Sequence, residues 1–265
     1  MPITLRRLAL CALTLLGACA LPRTQSADID GRTTAFSRQG ITPPTVVFEA
    51  GLGDGMSSWS PVYGPVAAFA GVFAYDRAGY GGSASADGPR SGQRIVEDLR
   101  LLLRRTGVRP PYVLVGHSFG GSTMELFART HPDEVVGLVL VESRHHDFSR
   151  RCKASSALVC EPPALLVAAM PGSASSEYRA MDETMRQLRN APPLPDMPLV
   201  VLTGMRKIVE GPTFREVWLA TQKELAVRGE HVVCESCGHY VHRDQPQLVI
   251  DAIRRVVEAA RRRRA

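Results

Sequence analysis

One serine in this chain stands where a hydroxyl can be made to attack. Gly116-His117-Ser118-Phe119-Gly120 fits the pattern G-x-S-x-G. The apolar run Tyr112–Val115 before it reads as a strand, and the stretch Phe119–Arg129 after it reads as a helix. Ser118 therefore falls on a cramped strand-to-helix turn, where flanking glycines leave room for a strained backbone. Such a turn lifts the hydroxyl above a sheet and sets a helix N-terminus beneath any negative charge that develops. A serine hydroxyl is a poor nucleophile until a base takes its proton, so one of the seven histidines has to reach it. His117 lies inside the motif as a spacer, and His131 precedes a proline at a helix end. The competing reading of the motif is a glycine-rich turn holding an incidental serine.

The rest of the chain has to supply a scaffold for that turn. From about residue 45 the sequence alternates short β-branched runs with helical stretches. Strands are expected at Thr45–Glu49, Val72–Tyr75, Tyr112–Val115, Leu138–Val141, Leu199–Leu202 and His231–Cys234. Their nearly continuous apolar character suits strands covered on both faces. Helices are expected at Gln93–Arg105, with Ile95, Leu99, Leu102 and Leu103 on one face, at Phe119–Arg129 and at Gln247–Arg261. This alternation predicts an α/β protein, a mostly parallel central sheet with helices on both faces. Residues 143–197 break the rhythm with a polar loop, the apolar stretch Leu165–Met170 and a helix across Glu177–Leu188. They read as a cap inserted over one end of the sheet, because about 55 residues are too many for an unstructured loop in a compact domain. Residues 43–142 and 198–265 then form the core, and 19–42 an N-terminal linker or edge segment.

Three further motifs carry a family resemblance. Ala50-Gly51-Leu52-Gly53 follows the first clear strand, Tyr75-Asp76-Arg77-Ala78-Gly79-Tyr80-Gly81-Gly82-Ser83 follows the second, and Cys237-Gly238-His239 follows the last. With the serine turn, they make residues 43–260 resemble the α/β-hydrolase superfamily. That resemblance implies the α/β-hydrolase fold, with its cap after the sixth strand. It implies His239 as the base, with His242 as the rival, and backbone N–H groups of Leu52 and Phe119 as the oxyanion hole. Asp76 and Arg77 would fix a turn. The acid is a departure from the common pattern. After Leu199–Leu202, where many members carry it, no carboxylate occurs until Glu210. Some members carry it after the preceding strand, where this chain has Glu142. Glu142 is the expected acid, with Glu210 and Asp147 as alternatives. The activity implied is that of a serine hydrolase cleaving a small-molecule carboxylic ester, with no cofactor. The alternatives are a peptidase, an amidase, an acyltransferase, or a catalytically silent lipoprotein that binds a ligand.

Composition fits this reading. The chain has 265 residues, 45% hydrophobic and 22% charged, which excludes a disordered tail and a polytopic membrane protein. The net charge of +6 includes Arg6 and Arg7, and the remaining charge is too evenly balanced for a nucleic-acid partner. Residues 1–18 have a basic start, an apolar stretch from Leu8 to Leu16 and small residues at Gly17 and Ala18, as a secretory signal does. Leu16-Gly17-Ala18-Cys19 resembles the lipobox of bacterial lipoproteins, so Cys19 is expected to be lipidated and to begin the mature chain. Cleavage near Ala18 or Ala20 is the alternative. Either predicts export, to the cell envelope on a lipid anchor (with Ala20 pointing to the outer membrane) or to the periplasm. In that oxidising setting Cys152, Cys160, Cys234 and Cys237 are expected to form disulfides, most simply between sequence neighbours. A lone C-x-x-C also suits zinc or redox work less well than a bridge. His145-His146-Asp147 could hold a metal, but a polar loop explains them as well, and no metal is expected. The apolar cap residues Leu165, Leu166, Val167, Met170, Met181 and Met185 would suit an acyl chain or fill core, and no charged cluster suggests a strongly anionic substrate.

Overall fold

The computed structural model describes residues 24–155, 157, 160–206 and 211–264. The expected signal at residues 1–18, the lipidation site Cys19 and the alternative acid Glu210 lie outside the described residues. The described strands are β1 (Gln25–Ile29), β2 (Arg32–Gln39), β3 (Thr45–Glu49), β4 (Gly71–Tyr75), β5 (Tyr112–His117), β6 (Val135–Val141), β7 (Leu199–Gly204) and β8 (Glu230–Cys234). They form one sheet in the order β1-β2-β4-β3-β5-β6-β7-β8. β1 and β2 run antiparallel, and every pair from β4 to β8 is parallel.

The helices are α1 (Ser60–Ala67), α2 (Gly92–Arg105), α3 (Phe119–Thr130), α4 (Phe148–Ala154), α5 (Ala164–Ala168), α6 (Gly172–Arg179), α7 (Met181–Asn190), α8 (Gly211–Leu225), α9 (Val241–Asp244) and α10 (Pro246–Arg262). Alternate strand residues feed two separate cores. Val47, Phe73, Leu114 and Leu140 pack under α2, α3 and α7, while Val46, Phe48, Val113 and Val115 pack under α1 and α10. Burial on both faces is why these strands lack an in-out alternation.

Two features differ from the expectation. Residues 25–39 of the supposed linker form a hairpin, turned by Asp30 and Gly31 at φ 51° and 76°. Aspartate-glycine is the usual signal for a two-residue hairpin turn, but the flanking residues are too polar to announce buried strands. The helix expected across Glu177–Leu188 is two helices, α6 and α7, meeting at Ala180. Among the described residues the cap therefore holds four short helices, α4 to α7, in place of one.

Candidate active site

Ser118 caps β5 and starts α3 with φ 53° and ψ −120°, a left-handed conformation that costs a non-glycine residue about 1–3 kcal/mol. Its amide donates to Val141 O at 3.0 Å, which locks the turn to the end of β6. The motif glycines are required by space. A Cβ on Gly116 would stand 2.6 Å from the Cα of Gly121, and one on Gly120 would stand 2.6 Å from Glu49 O. The loop after β3 packs directly on the serine, since a Cβ on Gly51 would lie 3.4 Å from that of Ser118. In that loop Gly53 N donates to Tyr80 and Asp54 N to Gly51 O. The amides of Leu52 and Phe119 donate to no acceptor among the described residues.

Glu142 follows β6 and also has a left-handed backbone, φ 49°. Its amide continues the ladder to Leu202 O at 2.8 Å. Its buried carboxylate accepts three hydrogen bonds. Gly204 N and Trp218 Nε1 donate to Oε1 at 2.8 and 3.1 Å, and His239 Nδ1 donates to Oε2 at 3.1 Å. Because a carboxylate only accepts, that contact puts the imidazole proton on Nδ1 and leaves the lone pair of Nε2 to receive another. Asp147 stands elsewhere, held by Arg150 at 2.8 Å.

His117 is a neighbour that sequence reasoning passed over as a spacer. It is buried, and its Nε2 donates to the carbonyl of His239 at 2.8 Å, so it fixes the loop that carries His239. Burial, with His239 and His242 beside it, holds its pKa well below the usual histidine value. His242 is also buried, packed on Trp59 with ring centroids 4.5 Å apart, where burial and the Arg243 charge push it down to about 3. Both rings are thus neutral in the folded protein, whereas in the unfolded chain they titrate near 6.5. Below that pH the unfolded chain binds more protons, so their contribution to stability is complete above pH 6.5 and is lost as pH falls. Each histidine adds a slope of up to about 1.4 kcal/mol per pH unit. Urea midpoints should fall between pH 7 and 5, less steeply in His242→Phe; equal slopes in the two proteins would contradict this account.

Beneath the serine lies a buried ionic knot. Arg77 donates to Glu49 at 2.7 Å, to the carbonyls of Ala50 and Gly51 at 2.7 and 2.8 Å, and to both oxygens of Glu177 at 2.7 and 3.0 Å. The Tyr75 hydroxyl also binds Glu49, and Tyr80 donates to Glu177 at 2.8 Å. Arg77 therefore does more than fix its own turn. All five of its N–H groups hold the loop after β3 and tie it to the cap through α6.

Ser118, Glu142 and His239 line a single cavity of about 930 Å³. Its apolar wall is Phe214, Trp218, Tyr240 and Pro162, mostly from α8 and the turn after β8. The apolar cap residues expected to receive an acyl chain are absent from this lining. Leu165 and Leu166 are exposed, and Met181 and Met185 are buried on the core face of α7. Arg144, Arg206, Arg215 and Arg243 also border the cavity, a cluster that is scattered in sequence. The cysteines pair as neighbours, Cys152 with Cys160 and Cys234 with Cys237, at Cα separations of 5.7 and 5.3 Å. The first bridge closes the base of the cap, and the second precedes His239. His145, His146 and Asp147 do converge, with ligand atoms within 4.8 Å of one another. Asp147, however, is engaged by Arg150 and approached by Arg189 at 3.8 Å.

This arrangement has known relatives. The chain belongs to the alpha/beta hydrolase family, whose model matches residues 46–252. The protein YqjL of Bacillus subtilis is 27% identical over 218 residues, 82% of this chain and 84% of its own length. A putative carbamate hydrolase, RutD of Azorhizobium caulinodans, is 35% identical over 109 residues, 40% of this chain and 41% of its own. Among solved structures, a thermophilic esterase from Thermogutta terrifontis superposes with a TM-score of 0.64 at 21% identity, covering 90% of this chain and 99% of that one. Membership of that family makes the chain a hydrolase.

Proposed function

We propose that this protein is an exported serine hydrolase that cleaves a small carboxylic ester through an acyl-serine. The observation that carries the reading is the Glu142–His239 contact at 3.1 Å in the cavity that Ser118 lines. In the proposed reaction His239 Nε2 takes the proton of Ser118 Oγ as that oxygen bonds to the ester carbonyl carbon. Glu142 stabilises the imidazolium that forms. The oxyanion is met by the N–H groups of Leu52 and Phe119, each contributing about 3–4 kcal/mol of transition-state stabilisation. The carbon–oxygen bond to the alcohol then breaks, and the alcohol leaves with the proton from His239. Water, deprotonated by His239, attacks the acyl-serine, and the carboxylic acid departs as Ser118 regains its proton. The lipobox-like Leu16-Gly17-Ala18-Cys19 supports a lipid anchor at Cys19 in a bacterial envelope.

Intact mass spectrometry of the folded protein after treatment with a neutral fluorophosphonate tests the chemistry. One adduct is expected, mapping to Ser118 and lost in His239→Ala. A folded protein that takes no adduct would instead favour the ligand-binding lipoprotein. The same measurement on protein produced with its leader reads the N-terminus: an unmodified terminus would remove the anchor.

A further inference from the structure

The charges around the cavity do not cancel. Arg206 is paired with Asp244 at 2.9 Å, and Arg243 with Asp54 at 3.2 Å. Glu161 is paired with Lys153 at 3.0 Å, while Glu142 meets only neutral donors among the described residues, His239 among them. Arg144 and Arg215 remain without a carboxylate within 4 Å among the described residues. Arg215 at least donates to Met205 O at 2.9 Å. The Arg144 side chain makes a single hydrogen bond among the described residues, to Ser149 Oγ at 2.6 Å, and stacks over Phe148. Its Nε is buried with no partner.

Leaving a buried guanidinium unsatisfied is costly, and arginine does not escape that cost by losing its proton. Arg144 is also close to the reacting serine. It is two residues from Glu142, its amide donates to Ser118 O at 3.2 Å, and it lines the same cavity. An unpaired, always-charged fork in a substrate cavity fits a planar carboxylate. Two guanidiniums without a carboxylate, Arg144 and Arg215, face one lining carboxylate without a cation, Glu142, so one positive charge is left over and one negative charge on the ligand is the better match.

We propose that Arg144 is a specificity-determining residue and that the preferred substrate is an ester carrying a free carboxylate, bound by the Arg144 guanidinium while Ser118 attacks the ester group. This inference rests on the serine-hydrolase reading and narrows its substrate class. It departs from the sequence expectation because the four arginines come from four separate places, after β6, after β7, in α8 and in α9.

The test uses matched ester pairs. For the acyl side, the mono-4-nitrophenyl ester of adipic acid is compared with its methyl diester. For the alcohol side, 4-acetoxybenzoate is compared with methyl 4-acetoxybenzoate. Each kcat/KM is divided by the ester's hydroxide-catalysed rate constant. In at least one pair the acid should be preferred by about 10- to 100-fold, the scale of a hydrogen bond to a charged group. The preference should shrink with added salt and collapse towards unity in Arg144→Gln. Arg144→Lys should keep part of it, since the charge remains and the fork is lost. Equal or better turnover of the neutral ester in both pairs overturns the proposal, as does a preference that survives in Arg144→Gln. Should Arg144→Gln not fold, as read by its melting curve, the wild-type ratios, their salt dependence and Arg144→Lys still decide. Fluorophosphonate labelling separates the two levels. A labelled Ser118 without carboxylate preference removes only this inference, whereas a folded protein with neither label nor ester turnover removes the serine-hydrolase reading and this inference with it.

Discussion

Glu142→Gln is expected to leave a folded protein whose kcat falls by about 10⁴, the loss seen when a triad carboxylate is made neutral. Glutamine keeps the volume and retains an oxygen for Gly204 N and Trp218 Nε1, which donate to Oε1 now. It no longer obliges His239 to carry its proton on Nδ1, and it removes the charge that stabilises the imidazolium. Stability should therefore change little while turnover collapses. The check is kcat on 4-nitrophenyl acetate alongside a urea melt, with Glu210→Gln as the companion variant. Near-normal turnover in Glu142→Gln with a dead Glu210→Gln would move the acid to the segment after β7.

Arg77→Met is expected to produce the largest loss of stability, about 3–5 kcal/mol. Removing one partner of a buried ion pair leaves the others uncompensated. Here two carboxylates are stranded, Glu49 and Glu177, both fully buried. Burial already raises the pKa of Glu49, and the Arg77 charge is the largest effect opposing that rise. The Ala50 carbonyl loses its guanidinium donor in the same substitution, and the Gly51 carbonyl keeps only the amide of Asp54. The Gly51 carbonyl shares its peptide group with the amide of Leu52, so turnover should suffer in any fraction that folds. Denaturant midpoints and kcat measure both effects. Glu177→Gln, which keeps the shape and removes one charge, serves where Arg77→Met does not fold. A destabilisation below about 1 kcal/mol in both variants would mean the knot contributes little beyond packing.

The sequence made some of this legible because the signals were local. β3 occupies the predicted Thr45–Glu49, and the other predicted strands differ from β4 to β8 by at most three residues at an end. A two-sided apolar run is a property of consecutive residues. The serine turn likewise declares itself, since its glycines are neighbours of the residue they make room for. Arg77 behaves differently. Its partner Glu177 is 100 positions away, and no spacing rule connects a turn after one strand to a cap helix. Trp218 escaped notice for the same reason: its indole meets Glu142 across 76 positions. The hairpin of β1 and β2 was hidden by polarity, although Asp30-Gly31 marked its turn. The role of His117 shows only when the carbonyl it meets, that of His239, is in view.

Ser118 and Glu142 share one more property, a backbone that ordinary side chains resist, with φ of 53° and 49°. A glycine at position 118 would adopt that conformation without strain. The protein is therefore less durable than its own fold would permit, and the deficit sits under the groups assigned to the chemistry. Selection for heat resistance alone would reward a lineage that gives up the serine, since such a change relieves strain while disabling the nucleophile. Any effort to harden this protein by directed evolution has to score turnover in every round, or its winners will be sturdy and inert.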